Sequence, residues 1–217
     1  GVGYMSKVSA ETGSTATAYQ KVGAAYDITE AGVASVYTAY FDGVDDALWS
    51  PTIDWAGSTK LSHFSGARCT SSGSYGGFFG NGAANGPGTP GRFGMSLPSV
   101  VGAIRCDFGG VSASINTSAV LALGAPCVTS AVLDSTTSPR MRFRLSGAPV
   151  SASDPDVGGQ SFATDAVGIG PPIANGGATP YKGFISALAV RGAATDADTI
   201  AKMEKWLAAR TPGVTLP

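Results

Sequence analysis

Between residues 36 and 190 the hydrophobic positions of this chain fall into short runs separated by clusters of Gly, Pro, Asn and Ser. The runs are rich in β-branched and aromatic residues and show no helical period, which predicts the strands of an all-β sandwich or barrel. The predicted strands span residues 36–41, 61–69, 92–96, 100–108, 119–123, 127–133, 140–145, 166–169 and 183–190.

The run RMRFRL, residues 140–145, alternates most regularly. Its apolar residues Met141, Phe143 and Leu145 share one face, as a half-buried strand requires. The following Ser146-Gly147 predicts a turn. The run FISALAV, residues 184–190, is apolar on both faces and predicts a central strand that is covered on both sides.

The opposite face of RMRFRL carries Arg140, Arg142 and Arg144. We expect this basic ridge to be a solvated or interface surface, because exposed charges of this kind seldom do more. The alternative is that the ridge contacts an acidic polysaccharide.

Only the C-terminal segment has a helical period. Thr195 followed three residues later by Asp198 resembles a capping box, and Pro212-Gly213 predicts the end of the helix. The apolar stripe consists of Ile200, Met203 and Leu207, with Trp206 beside them. Such a stripe predicts a short helix lying on the sandwich.

Composition and charge limit the classes of partner expected for this chain. The formal net charge of -1 and the absence of a basic block argue against a nucleic-acid partner. The longest apolar runs are far shorter than the roughly 20 residues that span a bilayer, so no membrane insertion is expected. The 31 glycines and the charged fraction of 13% indicate many tight turns and a weakly charged surface, as in an extracellular or particle-borne β-protein.

The residues that often carry chemistry are sparse. Cys69, Cys106 and Cys127 are widely spaced, without a C-x-x-C pair, and are expected to be small buried hydrophobes. His63 is the single histidine and is expected to be a hydrogen-bonded structural residue. The chain has three Glu, of which Glu11 and Glu30 precede the core strands and Glu204 falls in the terminal helix.

The N-terminal region differs from the rest. Residues 1–34 are rich in Gly, Ser, Thr and Ala and predict an arm or linker, while residues 35–217 predict one sandwich domain. An arm of this kind often joins a longer parent protein, so we expect a processed chain or a portion of something longer.

Three stretches together resemble a known family. FDGVDDAL at 41–48, RMRFRLSGAPV at 140–150 and YKGFISALAVRGAATDADTIAKMEKWLAARTPGV at 181–214 are similar to the concanavalin A-like, laminin G-like sandwich domains of phage and prophage structural proteins. The resemblance implies a two-sheet antiparallel jelly-roll with a short C-terminal helix. It also implies glycan binding or service as a virion module. Ser146 stands where that family usually has Asn.

FDGVDDAL places Asp42, Asp45 and Asp46 within five residues. Asp-Gly is typical of a turn, because Asp caps the local backbone and Gly takes a positive φ. The alternative is a rim Ca²⁺ site, since hard cations take several oxygen ligands and the resemblance implies such ions. A catalytic carboxylate pair is disfavoured, because Asp45 and Asp46 would point to opposite faces of an extended chain.

Aromatic and amide side chains are the candidates for sugar contacts, since aromatic faces stack on sugar C–H faces and amides orient hydroxyls. Many of them lie in a glycine-rich segment, residues 69–94, whose alternative interpretation is a loop that packs on the sandwich or on a neighbouring subunit. The candidates are Trp49, Trp55, Tyr75, Phe78, Phe79, Asn81 and Asn85.

We therefore predict a non-enzymatic phage or phage-like virion component, a spike, fibre or tail module on the particle surface. Its expected partners are host surface polysaccharide, other virion proteins and further copies of itself. A structural decoration or joining module without glycan binding is the alternative, and a polysaccharide-degrading enzyme is a third, weaker one.

Overall fold

The computed structural model describes residues 38–70, 76–81, 93–97, 103–108, 113–120, 122–153, 161–170 and 181–217. Thr38–Pro217 form one compact unit. The predicted arm, residues 1–34, lies outside the described residues, so its boundary stays a prediction.

The described chain contains twelve strands and one helix. They are β1 Ala39–Asp42, β2 Leu48–Ile53, β3 Lys60–Cys69, β4 Gly76–Asn81, β5 Phe93–Leu97, β6 Ala103–Phe108, β7 Ala113–Val120, β8 Pro126–Asp134, β9 Met141–Leu145, β10 Ala148–Ser153, β11 Asp165–Ile169, β12 Lys182–Arg191 and α1 Ala197–Ala208. The first sheet has the order β1-β12-β3-β8-β9-β10 and the second β2-β11-β4-β5-β6-β7, with antiparallel pairing throughout. The predicted two-sheet antiparallel sandwich is confirmed.

The main core contains apolar side chains from both sheets. Leu61 and Phe143 of the first sheet and Phe79 and Phe93 of the second belong to one buried cluster. The alternation expected for RMRFRL is confirmed, because Met141 and Phe143 are both buried while Arg142 is exposed.

From Ala187 to Val190, strand β12 is covered on both sides, as its apolar sequence predicted. Leu188 and Val190 pack on the core between the sheets, whereas Ala187 and Ala189 pack on a second cluster that includes Leu207 of the helix. Strand β12 therefore links the sandwich core to the helix layer.

The hairpin between β9 and β10 turns at Ser146-Gly147, as predicted. Both residues have positive φ, 45° at Ser146 and 86° at Gly147. Two positive φ values are typical of a type I′ turn, which suits the right-handed twist of paired strands. Ser146 also anchors the turn to β8, because its backbone N–H donates to the carbonyl of Val128 at 2.7 Å.

The C-terminal helix is confirmed, but its predicted N-cap is wrong by one residue. Asp196 is the N-cap, since its carboxylate accepts hydrogen bonds from the backbone N–H and the hydroxyl of Thr199. The Thr195 hydroxyl instead donates to Ser62 of β3 at 2.8 Å. Among the described residues, no helix is long and apolar enough to cross a membrane.

The apolar stripe of the helix packs as predicted, except for Trp206. Leu207 is fully buried, and Ile200 and Met203 pack beside it. Trp206 is 40% exposed and stacks on Arg210, whose guanidinium carbon lies 4.2 Å from the ring centroid.

The ridge was expected to be a solvated or interface surface, and both occur. Arg142 is exposed, whereas Arg144 is half-buried and forms an ion pair with the helix. Its Nε donates to Oε1 of Glu204 at 2.8 Å, and Glu204 also accepts from the hydroxyl of Ser130 at 2.9 Å. Glu204 is buried, and its hydrogen bond raises the pKa of Arg144. The ion pair between Arg144 and Glu204 therefore fixes the helix to the first sheet.

His63 is structural, as expected, but the prediction that it is hydrogen-bonded is wrong for the described part of the chain. The ring is fully buried and stacks on Phe79 with centroids 4.1 Å apart. Neither ring nitrogen has a hydrogen-bond partner among the described residues. Burial lowers the pKa of His63 to about 3.

The cysteine prediction is confirmed for Cys69 and Cys127, which are both buried. Burial, reinforced by the neighbouring Cys69, raises the pKa of Cys127 to about 12. The side chain of Cys106 lies outside the described residues.

Several strands were missing from the sequence prediction. Strands β2, β4 and β10 were not predicted, and β7 begins six residues before the predicted 119–123. Pro51 interrupts β2, and Gly76, Gly77 and Gly80 dilute β4, so neither shows the β-branched pattern that identifies a strand.

Candidate functional site

The FDGVDDAL element forms the turn between β1 and β2. Asp42 accepts a hydrogen bond from the backbone N–H of Val44 at 2.7 Å, and Asp46 accepts from the backbone N–H of Asp42 at 2.8 Å. Gly43 has φ of 81°, a conformation that side chains disfavour. These two hydrogen bonds and the backbone conformation of Gly43 explain the turn without any ligand.

The same turn brings Asp42, Asp45 and Asp46 together. One carboxylate oxygen from each lies within 4.8 Å of the others. Such a set of hard oxygen donors fits Ca²⁺, which takes oxygens at about 2.4 Å. The calcium site stays a prediction, and the hydrogen-bonded turn remains its alternative.

Two predicted sugar-binding aromatics belong to the core. Trp55 is 7% exposed and Phe79 is 2% exposed, and each packs against Phe93. A sugar at the surface cannot stack on either ring, so both assignments are wrong. Sequence alone did not show which residues of these segments face the core.

The remaining loop candidates divide into two groups. Phe78 and Asn81 lie on β4, where their side chains are outside the described part. Tyr75 and Asn85 fall wholly outside it. These four assignments stay predictions.

Trp49 is the predicted aromatic that the structure places at the surface. It lies on β2, at the edge of the second sheet, and is 43% exposed. The strand is attached on its inner side, where Ser50 Oγ accepts a hydrogen bond from the backbone N–H of Val167 at 2.9 Å.

Three glycines continue the cross-strand row that begins at Trp49. Trp49 pairs with Gly168 of β11, Gly168 with Gly80 of β4, and Gly80 with Gly94 of β5. Paired residues share one face of a sheet. The neighbours of these glycines along the strands include the core residues Val167, Phe79 and Phe93, so this row faces away from the core.

We call Trp49 with Gly168, Gly80 and Gly94 the glycine row. At about 4.8 Å between strands, the three glycines extend about 10 Å along the sheet without a side chain. Glycine within a strand often marks a close approach by another molecule. Gly168 and Gly80 are nevertheless buried and Gly94 is half-buried, so the exposed part of the row is the Trp49 ring. An exposed indole face suits a sugar ring lying against it.

Gly94 and Gly168 fall inside the predicted strands 92–96 and 166–169, whereas Gly80 falls in the glycine-rich segment predicted as a loop. The structure places all three on strands, in register with one another. Their alignment depends on strand pairing between segments far apart in sequence.

Glu204, the one glutamate among the described residues, is a structural residue. Glu204 is bound to Arg144 and Ser130, so it serves the helix contact. The acidic groups that meet are the three Asp of the β1–β2 turn, and two of them accept backbone hydrogen bonds.

No protein-family model matches this chain, and no curated protein sequence matches it significantly. Solved structures do match. A native heptameric SAP-like pentraxin from Limulus polyphemus is 15% identical, with a TM-score of 0.57 over 83% of this chain and 84% of that one. The IT-sialidase CBM40 of Ruminococcus gnavus, bound to α2,3-sialyllactose, is 14% identical, with a TM-score of 0.54 over 72% and 97%.

A third similar structure is an enzyme. The Trypanosoma rangeli sialidase in complex with sialic acid is 15% identical, with a TM-score of 0.55 over 76% of this chain and 27% of that one. At these identities the likeness shows the fold alone. The chain has the jelly-roll sandwich fold of lectin-type domains.

Proposed function

We propose that this chain is a non-enzymatic glycan-binding module of a phage or phage-like virion, exposed on the particle surface as part of a spike, fibre or tail. Its ligand is host surface polysaccharide, and its other partners are virion proteins and further copies of itself. Several copies raise the overall affinity of a site that is weak in each one.

The exposed Trp49 on the edge strand β2 is the observation that carries the proposal. An exposed indole face suits stacking on the C–H face of a pyranose ring. The similar structures add support, since the Ruminococcus gnavus module is bound to sialyllactose. The virion setting comes from the resemblance of FDGVDDAL and the terminal strand-helix unit to phage structural domains.

The chain offers a direct test through its three tryptophans. Their indole N–H groups give three separate NMR signals from Trp49, Trp55 and Trp206. Titration with the best glycan from an array of host surface polysaccharides is expected to shift the Trp49 signal. The signals of the buried Trp55 and of Trp206 on the helix are expected to stay in place.

The matched variants are Trp49→Ala and Trp206→Ala, since both side chains are about equally exposed. Losing one stacked aromatic is expected to weaken binding roughly tenfold in Trp49→Ala only. Absence of binding to every host glycan, for a correctly assembled multivalent sample, would refute glycan binding.

A structural joining module is the second candidate, and one observation favours it. Five of the seven exposed large hydrophobic residues in the described part of the chain lie between residues 40 and 53. They follow the edge strands β1 and β2, where a neighbouring virion protein could pack. Particle assembly that fails in a Leu48→Ser variant, without any glycan binding by the wild type, would favour this candidate.

A further inference from the structure

A second aromatic surface lies on the outer face of the first sheet, away from the glycine row. Tyr40 of β1 pairs with Phe184 of β12, and Phe184 pairs with Arg68 of β3. The next residues along these strands, Phe41 and Ile185, are in the core. Tyr40, Phe184 and Arg68 therefore face outward, and we call them the outer platform.

Within the outer platform, Phe184 is the middle residue, with Tyr40 on one side and Arg68 on the other. The rings of Tyr40 and Phe184 have centroids 4.9 Å apart, and the Arg68 guanidinium carbon lies 6.0 Å from the Phe184 centroid. Arg68 Nε donates to the carbonyl of Gly124 at 2.7 Å, which fixes the direction of the guanidinium. Tyr40 is nevertheless 53% exposed, so the aromatic surface is open.

The platform has a border on each side. Toward the helix, the next row is covered by the C-terminal segment, where Thr211 Oγ1 lies 2.8 Å from the hydroxyl of Ser186. Toward the β1–β2 turn, the next row contains Asp42 and its cross-strand partner Lys182. Residues two apart in a strand are separated by about 7 Å, roughly the width of one pyranose ring.

The charges around the platform have both signs. Arg68 and Lys182 are cations, whereas Asp42 lies close to Asp45 and Asp46. A carboxylate on a ligand would meet these three acidic groups, and a cationic ligand would meet Arg68. A neutral sugar matches both, because each hydroxyl can donate to a carboxylate and accept from a guanidinium or an ammonium.

We propose that the outer platform is a second carbohydrate site that takes a neutral sugar ring, stacked on Tyr40 and Phe184. The inference rests on the proposed glycan-binding function and adds a site on the opposite face of the sandwich. One module would then hold two sugars, which increases avidity for a polysaccharide.

The test uses the full chain and methyl glycosides of glucose, galactose and mannose, with the glucuronide as the acidic comparison. NMR titration follows two reporters, the Trp49 indole for the glycine row and the Phe184 backbone amide for the outer platform. Both reporters are expected to shift with at least one neutral glycoside. The Phe184 amide is expected to respond several-fold more weakly to the glucuronide.

The decisive variant is Tyr40→Ala, with Trp206→Ala as the matched control because Trp206 is also an exposed aromatic residue. In Tyr40→Ala the half-saturation concentration at the Phe184 amide is expected to rise about five- to tenfold, with the Trp49 response unchanged. Thermal melting reports whether the variant is folded. Should Tyr40→Ala fail to fold, Arg68→Met tests the same site and is expected to weaken it several-fold.

The outcomes separate the two proposals. A Trp49 response without any Phe184 response, or a Phe184 response unaffected in either folded variant, refutes the outer platform and leaves glycan binding intact. A stronger response to the glucuronide refutes the neutral ligand class. No response at either reporter to any glycoside, together with no binding on the array, refutes both.

Discussion

Acidification is expected to destabilise this protein through His63. The ring is fully buried, stacks on Phe79 and has no hydrogen-bond partner among the described residues. Its paired neighbours in the first sheet are the apolar Val190 and Ala131, and burial is the cause that lowers its pKa. Nothing in that surrounding compensates an imidazolium, so the neutral form is strongly favoured.

The direction and size of the change in stability follow from the linkage between protonation and folding. Burial lowers the pKa of His63 from its ordinary 6.5 to about 3 in the folded state. The unfolded chain therefore binds more protons between these values, and stability falls as the pH decreases from about 6.5 toward 3. The slope approaches about 1.4 kcal/mol per pH unit, so this residue alone removes about 3 kcal/mol between pH 7 and pH 4.

Urea unfolding at a series of pH values, followed by tryptophan fluorescence, measures the effect against a His63→Leu variant. The carboxylates titrate equally in both proteins, so the difference between their free energies of unfolding isolates His63. Leu is expected to be at least as stable at pH 7, because an unpaired buried polar ring is removed. Parallel pH profiles of the two proteins, or a histidine pKa near 6.5 by NMR, would show that the reasoning is wrong.

Three further predictions concern the framework. Arg144→Met leaves the carboxylate of Glu204 buried without its ion pair. It is expected to lower the free energy of unfolding by about 2–3 kcal/mol, a value reduced for solvent screening because the Arg144 side chain is 31% exposed. Urea unfolding measures the loss, and the control Arg142→Met, at an exposed residue, should change the free energy by less than about 0.5 kcal/mol. Ser146→Asn is expected to stabilise the protein by about 0.5 kcal/mol, because Asn tolerates the positive φ of this turn better than Ser, and an unchanged or lower melting temperature would contradict this. EDTA is expected to leave the melting temperature unchanged, since hydrogen bonds hold the 42–46 turn without an ion; a clear fall, reversed by added Ca²⁺, would instead establish the calcium site.

The sandwich could be predicted because its strongest strands carry local patterns. RMRFRL alternates, and the terminal helix has its own period and stop signal, so both were recognised without knowledge of their partners. Strands β2 and β4 have no such pattern, since Pro51 and the glycines suppress it. They become strands because β11 pairs with both of them, at a distance of more than 80 residues along the chain.

The difference between local sequence patterns and long-range strand pairing also explains which site residues could be predicted. Composition identifies an aromatic residue as a possible sugar contact, but strand pairing decides whether its ring faces the core or the solvent. Trp49 and Trp55 are six residues apart, and only Trp49 reaches the surface, because Trp55 packs against Phe93 of β5 in the core. Tyr40 was not a candidate from the sequence, because its place in an aromatic surface depends on the pairing of β1 with β12, which brings its ring beside Phe184.

The two aromatics proposed to contact sugars lie on strands that border the same side of the sandwich. Tyr40 is on β1, at the edge of the first sheet, and Trp49 is on β2, at the edge of the second. Because the turn 43–47 connects these strands, any change in that turn acts on both proposed sugar contacts at once. The FDGVDDAL element therefore matters for function chiefly through position: its hydrogen-bonded turn holds the two edge strands that present Tyr40 and Trp49 to opposite faces.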